Sequence, residues 1–254
     1  MGSLDGKVAL ITGSSRGIGA AIATLFATEG ASVALHGRDE RALATIQGAI
    51  ARLAPEGRAE IFVADVRDFG DIERMRLEIE NSLGPVDVLV ANAGGNSAPP
   101  GPVEEMTEAA WRAVVDDNLT ATFLTLKSFL PGMKERQQGT IITISSAAAR
   151  RPSEKSPVAY AAAKAGVQLL TRDLALQAGP FGIRANCIAP ETILTERNAI
   201  QIPEPLQKTL AEQHAVRRLG TPDDVARAAL FLASDQSSWI TGAILDVAGG
   251  SVMA

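Results

Sequence analysis

Apolar residues in this chain fall into two alternating patterns. Short β-branched runs at 8–12, 33–36, 61–64, 86–91, 140–145, 183–189 and 243–247 are almost continuously apolar, as strands covered on both faces are. Between them, at 18–29, 41–53, 72–83, 109–137, 158–178 and 223–233, apolar residues recur at helical spacing. The last of these segments opens on Pro222-Asp223-Asp224, a proline and two acids where the free N–H groups and dipole of a helix start favour them. Strand and helix alternating in this way predict an α/β fold, a doubly wound parallel sheet of about seven strands with helices on both faces. No Pro/Gly/Ser linker or charge run divides residues 1–254, which read as a single domain.

A doubly wound sheet takes its ligand beyond the carboxyl ends of its strands, near the switch in strand order. Polar and glycine-rich segments should therefore follow strand ends, and they do. The first strand runs into Thr12-Gly13-Ser14-Ser15-Arg16-Gly17-Ile18-Gly19, and a helix follows. Glycines there permit a tight turn and close backbone approach, and the helix start offers N–H groups to a pyrophosphate. The spacing is Gly-x-x-x-Gly-x-Gly, a departure from the Gly-x-Gly-x-x-Gly dinucleotide fingerprint. Ala91-Asn92-Ala93-Gly94-Gly95, Ser145-Ser146 and Ala189-Pro190 end three later strands.

Tyr160, the only tyrosine, lies four residues before Lys164 in a helical segment, which puts a phenol beside an ammonium on one face. The same spacing also serves an aromatic ring packed on a lysine stem. A positive charge at that distance is expected to lower the tyrosine pKa toward the range useful for acid/base catalysis.

Composition narrows the classes. A net charge of −5 and few basic runs disfavour nucleic acid as a partner. One cysteine, Cys187, excludes an internal disulfide, fits a reducing compartment and reads as a small buried hydrophobe. With His36 and His214 as the two histidines, no His/Cys metal site is expected. The opening residues Met1-Gly2-Ser3-Leu4-Asp5-Gly6-Lys7 lack a signal-peptide apolar region, and no apolar run reaches membrane-spanning length. The expectation is a soluble, cytoplasmic protein.

Taken together, Thr12-Gly13-x-x-x-Gly17-Ile18-Gly19, Asp65-Val66, Asn92-Ala93-Gly94, Asn118, Ser146, Tyr160-x-x-x-Lys164 and Pro190 resemble the short-chain dehydrogenase/reductase family. The segment from Arg218-Leu219-Gly220 through Phe231-Leu232-Ala233 to Ile240-Thr241-Gly242 is similar to that family's carboxyl third, so the resemblance spans nearly the whole chain. It lies nearest the 3-oxoacyl-[acyl-carrier-protein] reductases and related ketone reductases. It implies a Rossmann-type fold and an enzyme in which Tyr160 exchanges a proton with the substrate oxygen. Lys164 would lower the Tyr160 pKa and hydrogen-bond the nicotinamide ribose. Ser146 would hold the carbonyl oxygen, with Ser145 as the competing assignment, and the serine-to-tyrosine loop would carry a one-residue insertion. Asn118 would bind a water that relays protons to Lys164, the other reading being a core or capping amide.

For the cofactor the resemblance implies contacts from Gly13, Ser15, Arg16, Gly17, Ile18, Gly19, Arg38, Asp65, Val66, Asn92, Ala93, Gly94, Tyr160, Lys164, Pro190, Ile193 and Thr195. NAD-preferring relatives carry an aspartate at the end of the second strand; Gly37 stands at that position here. With Arg38 after it and Arg16 in the glycine turn, two guanidiniums favour a 2′-phosphate and hence NADP. The other reading has Arg38 in solvent and Asp39 on the ribose, giving NAD. The family's usual Pro-Gly is Pro190-Glu191 here, and Glu191 faces either solvent or the substrate pocket.

The segment at about 191–211 has no clean period and would be a substrate lid. The segments 95–100 and 147–157 would complete the walls, with Arg150, Arg151 and Lys155 either solvated or attracting an anionic substrate, an acyl thioester among them. The leading expectation is an NADP-dependent reductase of a ketone or 3-oxoacyl group, reversible, and a homodimer or homotetramer through the helices at 109–137 and 158–178. The alternatives are an NAD-dependent alcohol or sugar dehydrogenase of the same fold and a nucleotide-binding protein without turnover.

Overall fold

The computed structural model describes residues 2–96, 98–152 and 156–253. Its strands are β1 (Val8–Ile11), β2 (Ser32–Gly37), β3 (Ala59–Val63), β4 (Val88–Ala91), β5 (Gly139–Ile144), β6 (Ile183–Pro190) and β7 (Ile244–Val247). They form one seven-stranded sheet, every neighbouring pair parallel, in the order β3-β2-β1-β4-β5-β6-β7. The chain winds outward from β1 to β3 and then crosses to β4 on the other side of β1, so the order reverses between β1 and β4. That reversal leaves a crevice beyond their carboxyl ends.

The helices are α1 (Gly17–Thr28), α2 (Glu40–Leu53), α3 (Phe69–Ser82), α4 (Glu108–Val115), α5 (Ala121–Arg136), α6 (Val158–Ala178), α7 (Glu196–Gln201), α8 (Glu204–Glu212) and α9 (Pro222–Ala233). Continuous apolar strands can feed both faces because successive side chains alternate. In β1, Ala9 and Ile11 join Phe26 of α1, Leu43 of α2 and Leu232 of α9 on one face. Val8 and Leu10 join Met75 of α3, Phe129 of α5 and Leu174 of α6 on the other. Truncating a fully buried ring such as Phe26 would cost about 3–5 kcal/mol. Local signals agree with this packing: Asp39, Asp68 and Thr107 cap α2, α3 and α4, and Thr221 with Asp224 forms a capping box ahead of α9.

Two segments differ from the sequence expectation. The single helix expected over 109–137 is interrupted by a π-helical turn, Asp116–Thr120, between α4 and α5. The Asn118 amide donates to the Val114 carbonyl one turn back (2.8 Å), taking an acceptor from the regular ladder and favouring the wider turn. The segment at about 191–211, which showed no period, carries α7 and most of α8. Both are too short for a helical period to show, and each starts from a local signal, the Thr195 hydroxyl and Pro203.

Candidate active site

The glycine turn after β1 is held from several sides. Gly13 has φ +68, and a Cβ there would lie 3.0 Å from the Ala93 Cα. A Cβ on Gly19 would come within 2.3 Å of the Gly13 carbonyl oxygen, so α1 can approach the turn only with glycine there. The Thr12 hydroxyl accepts from the N–H groups of Asn92 (3.0 Å) and Ala93 (2.9 Å). Asn92 Nδ2 donates to the carbonyls of Thr12 (2.8 Å) and Gly13 (3.2 Å). These bonds lace the ends of β1 and β4 together at the switch point, and they commit the Asn92 amide to the scaffold.

His36 was not singled out as a site residue from the sequence, yet it organises this turn. Its Nδ1 accepts the Gly13 N–H (3.2 Å) and its Nε2 meets the Ala64 carbonyl (3.1 Å), so the hydrogen resides on Nε2. Burial lowers its pKa to about 4, against the pull of the Ala64 carbonyl, so the ring is neutral at pH 7. In the sequence it is one more residue of an apolar strand; its partners lie on two other elements.

A cleft of about 540 Å³ opens over the switch point. Of the expected cofactor residues, Gly13, Ser15, Arg16, Arg38, Asp65, Val66, Asn92, Ala93 and Gly94 line it. Gly17, Ile18 and Gly19 open α1 beside it, and the helix start has no side-chain cap from Arg16. Arg67 and Arg197, missed in the sequence, also line it. Arg67 binds the Asp65 carboxylate through Nε (3.0 Å) and a terminal nitrogen (2.6 Å). That hydrogen bond is the main cause of the Asp65 pKa falling to about 2. Arg16 lies 3.6 Å from Asp39, both exposed, and Asp39 also accepts the Ala42 N–H at the start of α2.

The second cluster sits at the ends of β5 and α6. The Ser146 side chain acts on the Tyr160 hydroxyl, favouring its ionised form, and also accepts the Ala148 N–H (3.1 Å). The Ser145 hydroxyl turns the other way, donating to the Lys164 carbonyl (2.8 Å) and accepting from Gln168 (3.1 Å). Ser145 is thus committed to α6, and Ser146 is the serine that acts on the tyrosine hydroxyl. Lys164 is buried, with Nζ donating to the Ile144 carbonyl (2.9 Å) and 5.8 Å from the Tyr160 ring centre. Burial lowers the Lys164 pKa to about 8. Burial also raises the Tyr160 pKa above 10.0, opposed by the Ser146 hydrogen bond. This reverses the expected direction, because desolvation disfavours the charged forms of both groups.

Asn118 is fully buried in the π-turn, donating to the Gly95 and Val114 carbonyls (both 2.8 Å) and accepting from the Gly95 N–H (3.2 Å). Both amide hydrogens are committed, so any water it holds meets an oxygen. A Cβ on Gly94 would come within 2.7 Å of its Oδ1, which explains that glycine.

Pro190 ends β6, and Ile193 beyond it is a core side chain bridged to Gly220 through the backbone. The Thr195 hydroxyl accepts the Asn198 N–H (3.3 Å) at the start of α7, and its methyl lies beside Gly17. Glu191 faces neither of its expected surroundings alone: Oε2 lies 2.8 Å from His214 Nε2. Arg150 is consumed by a bidentate pair with Asp246 (3.0 and 2.9 Å), so it is not offered to an anionic substrate. Arg151 is exposed, Cys187 is buried, and Ser97 and Lys155 lie outside the described residues. No helix among the described residues is long and apolar enough to cross a membrane.

A parallel sheet with a glycine turn at its switch point and a Ser–Tyr–Lys cluster along the same edge is the framework of a nucleotide-dependent oxidoreductase. A family model described as enoyl-(acyl carrier protein) reductase matches residues 13–251. The chain is 37% identical to the (2S)-[(R)-hydroxy(phenyl)methyl]succinyl-CoA dehydrogenase subunit BbsD of Thauera aromatica, covering 97% of each. It superposes with a TM-score of 0.91 on a 3-oxoacyl-[acyl-carrier protein] reductase with bound NAD from Brucella melitensis, at 36% identity, covering 99% of this chain and 93% of that one. A 7α-hydroxysteroid dehydrogenase complexed with NADH and 7-oxo glycochenodeoxycholic acid gives 0.91 at 37% identity, covering 99% and 96%. The chain belongs to the short-chain dehydrogenase/reductase family and is an oxidoreductase acting on alcohol or ketone groups.

Proposed function

We propose that this protein is an NADP-dependent oxidoreductase that reduces a ketone or 3-oxoacyl group to the secondary alcohol, reversibly, with Tyr160 as general acid/base. The observation that carries the reading is the grouping of Ser146, Tyr160 and buried Lys164 on the sheet edge that also holds the glycine turn.

The cleft residues fit a dinucleotide. Cβ atoms at Gly13 and Gly19 would fill the turn, and the uncapped start of α1 offers N–H groups to a pyrophosphate. A reduced nicotinamide, when bound, supplies a hydride to the substrate carbon. Ser146 holds the substrate oxygen, and Tyr160 delivers its proton to that oxygen. A phenol held above its usual pKa is fully protonated at neutral pH, which suits the reducing direction. Lys164 spends one of its three hydrogens on Ile144 and has two for the ribose hydroxyls and the proton path. Asn118 shapes the wall by holding Gly95.

Arg38, exposed at the cleft beside Gly37, supports NADP. Arg16 supports it too, held only by a 3.6 Å surface pair that a 2′-phosphate can displace. The relatives with NAD and NADH keep an NAD-dependent alcohol dehydrogenase as the second reading. Residues 191–211 serve as the substrate lid. The names of the Thauera and Brucella relatives put acyl thioesters among the substrates to try. A homodimer or homotetramer through α5 and α6 is supported by exposed Phe123, Leu169 and Leu176, and sedimentation tests it. The buried free cysteine suits a cytoplasmic setting.

The deciding experiment is NADPH and NADH oxidation over a ketone and 3-oxoacyl thioester panel. Tyr160→Phe should abolish turnover and leave nucleotide binding intact; a variant that keeps most of its activity refutes the mechanism.

A further inference from the structure

Glu191 and His214 stand at the two ends of the excursion that carries α7 and α8. His214 is buried, at the carboxyl end of α8. Its Nδ1 lies 2.8 Å from the Leu210 carbonyl, and its Nε2 lies 2.8 Å from Glu191 Oε2. A carbonyl offers only lone pairs, so Nδ1 carries a hydrogen; the Nε2–Oε2 contact needs another between its atoms. The same carboxylate oxygen accepts the Thr192 N–H, which fixes its rotamer. Around this contact the neck is stitched through the backbone: Leu194 N–H to the Gly220 carbonyl (2.7 Å) and Gly220 N–H to the Thr192 carbonyl (3.1 Å). Val216 N–H also reaches the Gly249 carbonyl (3.2 Å). The neck leads directly to Thr195, which packs on Gly17, and to Arg197, which lines the nucleotide cleft.

We infer that Glu191 and His214 form a side-chain clasp that positions the lid stem, and through Thr195 and Arg197 the lid-side wall of the nucleotide site. They are positioning residues, since neither lines the cleft. The inference rests on the nucleotide-dependent reading above. It gives the departure from Pro-Gly at 190–191 a purpose: the side chain that glycine lacks reaches across the neck.

Glu191→Ala opens the clasp. Glu191→Gln retains it, because the amide oxygen in the place of Oε2 still accepts from Nε2–H and from the Thr192 N–H while Nδ1 keeps its hydrogen for Leu210. NADPH binding by fluorescence titration should weaken roughly ten-fold in Glu191→Ala, the scale of one lost charge-assisted hydrogen bond. KM for the nucleotide should follow, kcat should stay within about two-fold, and Glu191→Gln should lie near wild type. Hydrogen–deuterium exchange should accelerate across 194–213 in Glu191→Ala and leave the sheet unchanged. If Glu191→Ala fails to fold, His214→Asn replaces it, keeping the tie to Leu210 but too short for Glu191, with the same expected result. Unchanged affinity and exchange, a fall in kcat alone, or a Glu191→Gln as impaired as Glu191→Ala overturns the clasp. A wild-type protein that binds no nucleotide refutes the functional reading instead, and the exchange rates then still decide whether the clasp holds the neck.

Discussion

His36 should make stability pH-dependent in a window where few other groups titrate. Its ring is trapped between the Gly13 N–H, which needs an acceptor, and the Ala64 carbonyl, which needs a donor. Protonation puts a hydrogen on Nδ1 and turns the Gly13 contact into two donors facing each other. The folded pKa is lowered to about 4 from 6.5, chiefly by burial. Because the folded value is depressed, the unfolded chain binds more protons between those pH values. Stability is therefore fully present above about pH 6.5 and is lost as pH falls toward about 4. Integrated from pH 7 to pH 5, the linkage is about 2 kcal/mol, roughly 4–8 °C in Tm for a chain of this length. The assay is thermal unfolding at pH 7 and pH 5 for wild type and for His36→Gln, which cannot titrate. The variant should be less stable at pH 7, with one buried polar contact unmet, but its Tm should fall less by about that amount between the two pH values. Equal losses in both proteins would refute the assignment of the neutral, Nε2-protonated ring.

Other outcomes follow from the same contacts. Gly19→Ala drives a methyl into the Gly13 carbonyl, so it should cost about 1–3 kcal/mol in urea unfolding and abolish measurable NADPH binding. Ser146→Ala should lower kcat about 10²–10³-fold with little change in Tm. Ser145→Ala should instead destabilise by about 1 kcal/mol, through its bonds to Lys164 and Gln168, and spare most activity. Arg38→Asp should shift the ratio of kcat/KM values toward NAD; equal efficiency with both nucleotides in the wild type would sink the NADP assignment. Asp246→Asn weakens the bidentate pair with Arg150 and should lower Tm without changing nucleotide affinity, as circular dichroism melts and titration would show.

The alternation of apolar runs was enough to give the parallel sheet, because period and run length report burial on one or two faces directly. The glycine turn, Tyr160 and Lys164 were visible for a similar reason: each is a local grouping whose geometry follows from neighbours in the chain. What depends on contacts between distant segments was not visible. His36 looks like one more strand residue until β2 lies between the glycine turn and β3. Arg150 looks like a free cation until β7 brings Asp246 to it. The choice between Ser145 and Ser146 rests on which way each side chain turns at the end of β5, set by the packing of α6 against it. The Tyr160 pKa moved opposite to expectation because spacing along a helix encodes proximity to a charge, whereas the degree of burial is a property of the assembled core. Glu191 and His214, 23 positions apart, become partners only when the segment carrying α7 and α8 folds back on itself.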